Sequence, residues 1–191
     1  IVEEVAEAPF RRLVAEHIAG PLGLRRTFVA DSFDDLASLA PALSRRLSTD
    51  DAPRDVRRHY HPGWVSHGVV ASTSSDLARF LDRLFLGQLL SAESLDQMTT
   101  LVPVPVEPPP QGGRPGYGLG LMGDSASPLG VLLGHNGGGP GYGASAYHAR
   151  DLQGASACVM GAIDDDFRPE EVVLAILDRV AAGRARAWPP R

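Results

Sequence analysis

Lysine is absent from this sequence, because all 18 of its basic residues, in a chain of 191, are arginine. No lysine amine is therefore available as a catalytic base or for Schiff-base chemistry. Cysteine is nearly absent as well. The single Cys158 excludes an intrachain disulfide, and its apolar surroundings make it a small buried hydrophobe in expectation. Asparagine occurs once, as Asn136. No stretch approaches the roughly 20 apolar residues of a membrane span, and Ile1 to Glu7 carries acids where a signal peptide would carry bases. Positive charge is not in excess either: 23 Asp and Glu against 18 Arg give a net charge of -5, so nothing asks for nucleic acid.

What is present is enough for a core, with 43% hydrophobic residues. After Pro9, the positions Phe10, Leu13, Val14 and Ile18 recur at helical spacing, and Gly20-Pro21 is expected to end that helix. Ile1 to Glu7 reads as the last turns of an earlier helix, as if the chain began mid-fold. Asp31 to Pro62 reads as a long loop with one short helix. Thr73-Ser74-Ser75-Asp76 has capping-box spacing ahead of the stripe Leu77, Phe80, Leu81, Leu84, Phe85, which Gly87 closes. A shorter helix is expected from Ser91 to Thr100, presenting Leu95 and Met98.

Pro103 to Pro115 holds six prolines and two glycines and is predicted to be an extended loop. Beyond it, Tyr117 to Met122, Leu129 to Leu133, Ala144 to His148 and Ala155 to Ile163 are short apolar or alternating runs separated by Gly-rich turns. They predict an antiparallel meander. Pro169 then opens a terminal helix with Val173, Ile176, Leu177 and Val180 on one face. The order of helices, strands and a final helix defines an α+β pattern, divided into a helical region over 1–116 and strands plus closing helix over 117–191.

These runs carry a resemblance. Gly63-Trp64, His67-Gly68-Val69-Val70-Ala71-Ser72-Thr73 and Asp76-Leu77-Ala78-Arg79-Phe80 look like the lead into a helix of class C β-lactamases, D-alanyl-D-alanine carboxypeptidases and their esterase relatives. In the same order, Pro21-Leu22-Gly23-Leu24 with Thr27, and Leu89-Leu90-Ser91 with Met98, resemble a turn and a helix pair of that family. Tyr117-Gly118-Leu119-Gly120-Leu121 and Gly134-His135-Asn136-Gly137 with Pro140-Gly141-Tyr142 resemble its sheet strands.

The resemblance implies an acyl-transfer hydrolase that uses S-x-x-K, Y-x-N and a third motif, K-T-G or H-x-G, on a cleft strand. S-x-x-K cannot occur without Lys, and Gly134, not Tyr, stands two residues before Asn136. Only the third motif remains, as His135-Asn136-Gly137. It implies catalytic-site roles for His135, Gly137 and Gly138: Gly137 keeps the strand open to substrate, the Gly138 amide serves an oxyanion hole, and His135 offers a polar or cationic group. Asn136, Tyr142 and Trp64 are candidate substrate contacts, with packing over bare backbone the alternative for the two aromatics. The bland reading of the segment is a Gly-rich hairpin whose His faces water.

Two rivals remain open at this level. One is a non-catalytic binding or scaffold module of the same fold. The other is a metal-dependent hydrolase on His59, His61 and His67 with Asp55, although that spacing fits no familiar ligand motif. Asp164-Asp165-Asp166 reads as a solvated turn. No cofactor and no metal are implied. The expected partners are a small-molecule or peptide substrate in the parent protein, and either a second copy of the chain or a missing N-terminal segment.

Overall fold

The computed structural model describes residues 1–65, 69–106, 113–162 and 167–187. The chain divides into two compact units. The first comprises Ile1–Leu77, Gly138–Gly143 and Met160–Phe167; the second comprises Ala78–Gly137, Ala144–Val159 and Arg168–Arg191.

The first unit begins with α1 (Val2–Ala6), closed by Glu7 in the left-handed conformation. The expected amphipathic helix follows as α2 (Phe10–Val14), but it does not stop at Gly20-Pro21. It widens into a π turn over Ala15–Ala19 and runs on through α3 (Gly20–Leu22), ending at left-handed Gly23. Proline has no N–H and crowds the preceding turn, and the wider π turn is the form of helix that gives such a residue room. Strand β1 (Phe28–Ala30) then pairs antiparallel with β4 (Val69–Ala71), Val29 opposite Val70.

Between them lies more order than the predicted loop. Helix α4 (Phe33–Ala37) has a complete capping box from Ser32 and Asp35. Strands β2 (Leu43–Ser44) and β3 (Arg54–Asp55) pair with each other, and α5 (Val56–His59) starts at an Asp55 cap. Two-residue strands and one-turn helices are too short for hydrophobic periodicity to reveal. Polar ties hold them: Arg11 bonds Asp31 at 2.9 Å and Asp35 at 3.0 Å, and Arg57 bonds both Asp55 carboxylate oxygens at 3.1 and 2.7 Å.

Helix α6 (Ser74–Phe85) and helix α7 (Ala92–Thr99) form as expected, with Ser91 capping the second and Gly87 at φ +73° after the first. The capping box of α6 is half used. Thr73 Oγ1 accepts from the Asp76 amide at 3.2 Å, whereas the buried Asp76 carboxylate accepts from the Arg26 amide at 2.8 Å and Thr27 Oγ1 at 3.2 Å.

The six-stranded sheet is an antiparallel meander in the order β10-β9-β8-β7-β6-β5. Its strands are β5 (Val102–Pro103), β6 (Pro115–Tyr117), β7 (Met122–Ser127), β8 (Gly130–Gly139), β9 (Tyr142–Ala149) and β10 (Ala155–Gly161). Three boundaries differ from the sequence reading. Pro103 and Pro115 lie in strands, with Pro103 opposite Gly116 and Pro115 opposite Asp124. Tyr117 to Met122 is not one strand but the turn joining β6 to β7, closed by Gly118 N–H to Leu121 O at 2.7 Å. The glycines 137–139 belong to β8 and not to a turn, which falls at Pro140-Gly141.

The core of the second unit lies between sheet and final helix. Helix α8 (Pro169–Ala187) places Val173 and Leu177 on Leu132, Ala149 and Ala157. Ile176, expected on that face, is instead exposed. Residues i and i+4 share a helix face more closely than the broader stripe written in the sequence, so 173 and 177 win the contact.

Candidate active site

The predicted site residues centre on β8. Alternation along the strand puts His135 and Gly137 on one face and Asn136 on the other, and the burial follows: His135 and Gly137 are exposed, Asn136 half-buried. Asn136 is held from within the fold. Its Oδ1 accepts from the Oγ of fully buried Ser145 at 2.8 Å, and its side chain also bonds the Tyr147 hydroxyl. Burial pushes the Tyr147 hydroxyl up, the Glu170 charge adds to this, and the Asn136 bond opposes it.

His135 is bonded through both ring nitrogens. Nδ1 lies against the Asn136 carbonyl oxygen, and Nε2 is 2.7 Å from the Tyr117 hydroxyl, with the two rings nearly perpendicular at 5.7 Å. Tyr117 comes from β6, where it stands opposite Met122, which stands opposite Gly134. That register carries Tyr117 across β7 to the residue beside Gly134. The sequence gives no sign of the pair, because pairing register depends on turn geometry as well as on pattern.

Two kinds of glycine occupy this one strand. A Cβ on Gly134 would run into the carbonyl oxygen of Ala146 and the Tyr147 backbone, so packing against β9 requires glycine there. A Cβ on Gly137 would meet only Ala144 Cβ at an ordinary 3.8 Å, and on Gly138 or Gly139 it would meet nothing within 4 Å. None of these three has positive φ. Among the described residues, neither backbone conformation nor packing explains why three successive residues carry no side chain.

The remaining candidates sit as follows. Tyr142 donates its hydroxyl to Ala40 O at 2.7 Å, and burial raises its pKa, against the opposing effect of Arg57. It works as an anchor to the segment between α4 and β2. Trp64 lies in the 3-10 turn Pro62–Trp64, 68% exposed, with its ring edge-on to Tyr60 at 5.5 Å. His59 Nδ1 bonds Asp55 O at 2.8 Å, and His61 Nδ1 accepts from the Gly63 amide at 3.0 Å. Both have local structural partners. His67 and the Asp164-Asp165-Asp166 run lie outside the described residues, and among those described no group of three His, Cys, Asp or Glu could hold a metal ion. Burial pushes the Cys158 thiol up to about 11, which keeps it protonated and poorly nucleophilic near neutral pH.

A short-stranded antiparallel meander with a helix packed on it, in a chain with a helical, loop-rich N-terminal stretch, defines the class of the serine β-lactamase and penicillin-binding-protein fold. The Beta-lactamase family model matches residues 1–177, and the chain belongs to that family. It is similar to a D-stereospecific amidohydrolase from Streptomyces sp., with 33% identity, TM-score 0.69, and 85% of this chain covering 46% of that one. The fold is shared with an octameric penicillin-binding protein homologue from Pyrococcus abyssi at 18% identity and TM-score 0.73, over 95% of this chain and 40% of that one. It is shared too with the D-amino acid amidase of Ochrobactrum anthropi SV3 complexed with L-phenylalanine amide, at 21% identity and TM-score 0.72, over 97% and 54%. The chain spans about half the length of these structures, 46%, 40% and 54% of theirs. No curated protein matches it.

Proposed function

We propose that this chain supplies the third-motif edge of a serine-hydrolase cleft, and that the reaction it serves forms an acyl-enzyme from an ester, amide or β-lactam carbonyl and releases it to water. The nucleophilic serine and its base belong to S-x-x-K and Y-x-N segments that this sequence does not contain, so the chain alone is inactive. No cofactor enters the reaction.

The observation that carries this reading is the bare stretch at Gly137, Gly138 and Gly139, whose missing side chains leave space that the fold itself does not use. A substrate that lies along a strand edge needs that space. In this role Gly137 admits the acyl group, the Gly138 amide donates to the developing oxyanion, and His135 orders the hydrogen bonds beside it. Asn136 holds β8 against β9 through Ser145, and any contact it makes with substrate comes second to that. Tyr142 and Trp64 are kept as outlying substrate contacts. The 33% identity to a D-stereospecific amidohydrolase supports an amide among the three carbonyl classes.

The test is Gly137→Val in a protein that also carries the two upstream motifs. The nearest described neighbour of a Cβ at 137 is 3.8 Å away, so the start of a side chain is accommodated there, and folding of the variant is checked by its thermal transition. Its acylation rate falls on the order of 10²-fold, the cost of displacing a bound substrate by about 1 Å from its reacting geometry. His135→Ala costs less. Full acylation by a folded Gly137→Val protein contradicts the assignment.

A further inference from the structure

This inference rests on the reading of β8 as a substrate edge and concerns what that edge accepts. We infer that Tyr117, with its hydroxyl turned by His135, selects the charge of the bound group: an N–H donor such as an ammonium or amide while the His135 ring is neutral, and a carboxylate only together with one proton.

Hydrogens can be counted around the ring. Nδ1 of His135 faces the Asn136 carbonyl oxygen, which can only accept, so Nδ1 carries a hydrogen in either charge state. A neutral imidazole has only one N–H. Nε2 therefore presents a lone pair, and at 2.7 Å it accepts the Tyr117 hydroxyl proton. With that proton committed, Tyr117 Oη offers its surroundings lone pairs alone. Tyr117 is exposed, at 39% of the residue's surface, and in this reading its hydroxyl lone pairs face the bound group. An ammonium or amide N–H finds an acceptor there, and a carboxylate finds repulsion.

A proton taken from solvent onto Nε2 reverses the polarity. Two hydrogens cannot occupy one bond, so Nε2–H now donates to Oη and the hydroxyl rotates outward as a donor. No other bond changes. Among the described residues, the titratable group in contact with the ring is Tyr117, from β6. Tyr147 on β9 bonds the Asn136 side chain instead, and Asp124 on β7 accepts from the Arg114 and Ala126 amides at 2.8 and 2.9 Å. His135 is thus the group able to set the direction of this hydroxyl, while Tyr117 touches the ligand.

The test is nitrogen-15 NMR on a protein that also carries the two upstream motifs. Where the ring is neutral, it should show hydrogen on Nδ1 and an accepting Nε2, and Tyr117→Phe should move the Nε2 signal while the amide spectrum stays folded. Two probes, N-acetylalanine and alanine amide, are then titrated over a pH series in which the same spectra report whether the ring is neutral or charged. While the ring of the free protein is mostly neutral, the carboxylate probe should tighten about tenfold for each unit of falling pH, as uptake of one proton requires. The amide probe should hold its affinity there and weaken only as the ring becomes charged, and Tyr117→Phe should remove both trends. Hydrogen on Nε2 in the neutral ring, trends that survive Tyr117→Phe, or no binding of either probe would overturn the inference. These readouts concern proton position and binding, whereas the Gly137→Val assay reads acylation, so either can fail while the other stands.

Discussion

Single residues in this chain divide by whether the fold uses them. Gly134 is required by β9, whereas no packing among the described residues requires glycine at 137. Asp76 is legible as a cap, yet its carboxylate ties the Arg26 amide to the start of α6. His148 shows the same limit. It is buried and stacks on Phe85 at 4.3 Å, and it is one of six histidines, with no motif around it. Ser156 commits its one hydroxyl proton to Asp82 Oδ1 at 2.8 Å, so His148 Nδ1–H donates to Ser156 Oγ at 2.9 Å. Burial lowers the His148 pKa; the Asp82 charge opposes this and Arg150 adds to it.

A depressed histidine means that the unfolded chain binds the proton more readily. The stability contributed is fully present above the unfolded value of 6.5 and is lost as pH falls toward the folded value. Thermal melts from about pH 8 down to 5 should therefore show a falling Tm. His148→Gln, which keeps a hydrogen-bonding side chain without the titration, should flatten part of that fall. An unchanged slope in the variant would show that His148 does not contribute.

Among elements, the long ones are readable in the sequence and the short ones are not. Helices α6, α7 and α8 carry repeated apolar positions and proper starts, so pattern and structure agree. The pair β2–β3 and the one-turn helices α4 and α5 depend on charged side-chain ties such as Arg57 with Asp55, which leave no periodic trace. At the site, the order His135-Asn136-Gly137 is visible in the sequence. The Tyr117 and Ser145 partners are not, because they are set by register. The docking of α8 rests on few residues, with Leu177 1% and Val173 0% exposed. Leu177→Ala removes buried methyl groups and leaves a cavity, and should cost about 2–5 kcal/mol in denaturant unfolding. Ile176→Ala, on the exposed side of the same helix, should cost much less. Equal losses would contradict the packing described.

For the whole molecule, the sheet raises a question of cover. Strand β10 ends the order β10-β9-β8-β7-β6-β5, so among the described residues one of its edges has no partner. Val172, Leu174 and Ile176 on α8 are exposed as well, at 42%, 37% and 41%. Unpaired edges and apolar patches promote association. The isolated chain should scatter light as more than a monomer, or remain soluble only together with a segment that covers β10. A well-behaved monomer with one cooperative thermal transition would show that these surfaces need no partner.

The α+β class and the family are legible in the amino-acid sequence alone, because five short matches fall in order along it. That this chain has the cleft edge of a serine hydrolase without its nucleophile can be decided by intact mass after incubation with a fluorescent penicillin and, separately, a p-nitrophenyl ester. The unmodified mass is expected in both cases, with no hydrolysis above buffer. A covalent acyl adduct on any serine of the chain would mean that the nucleophile lies within it after all.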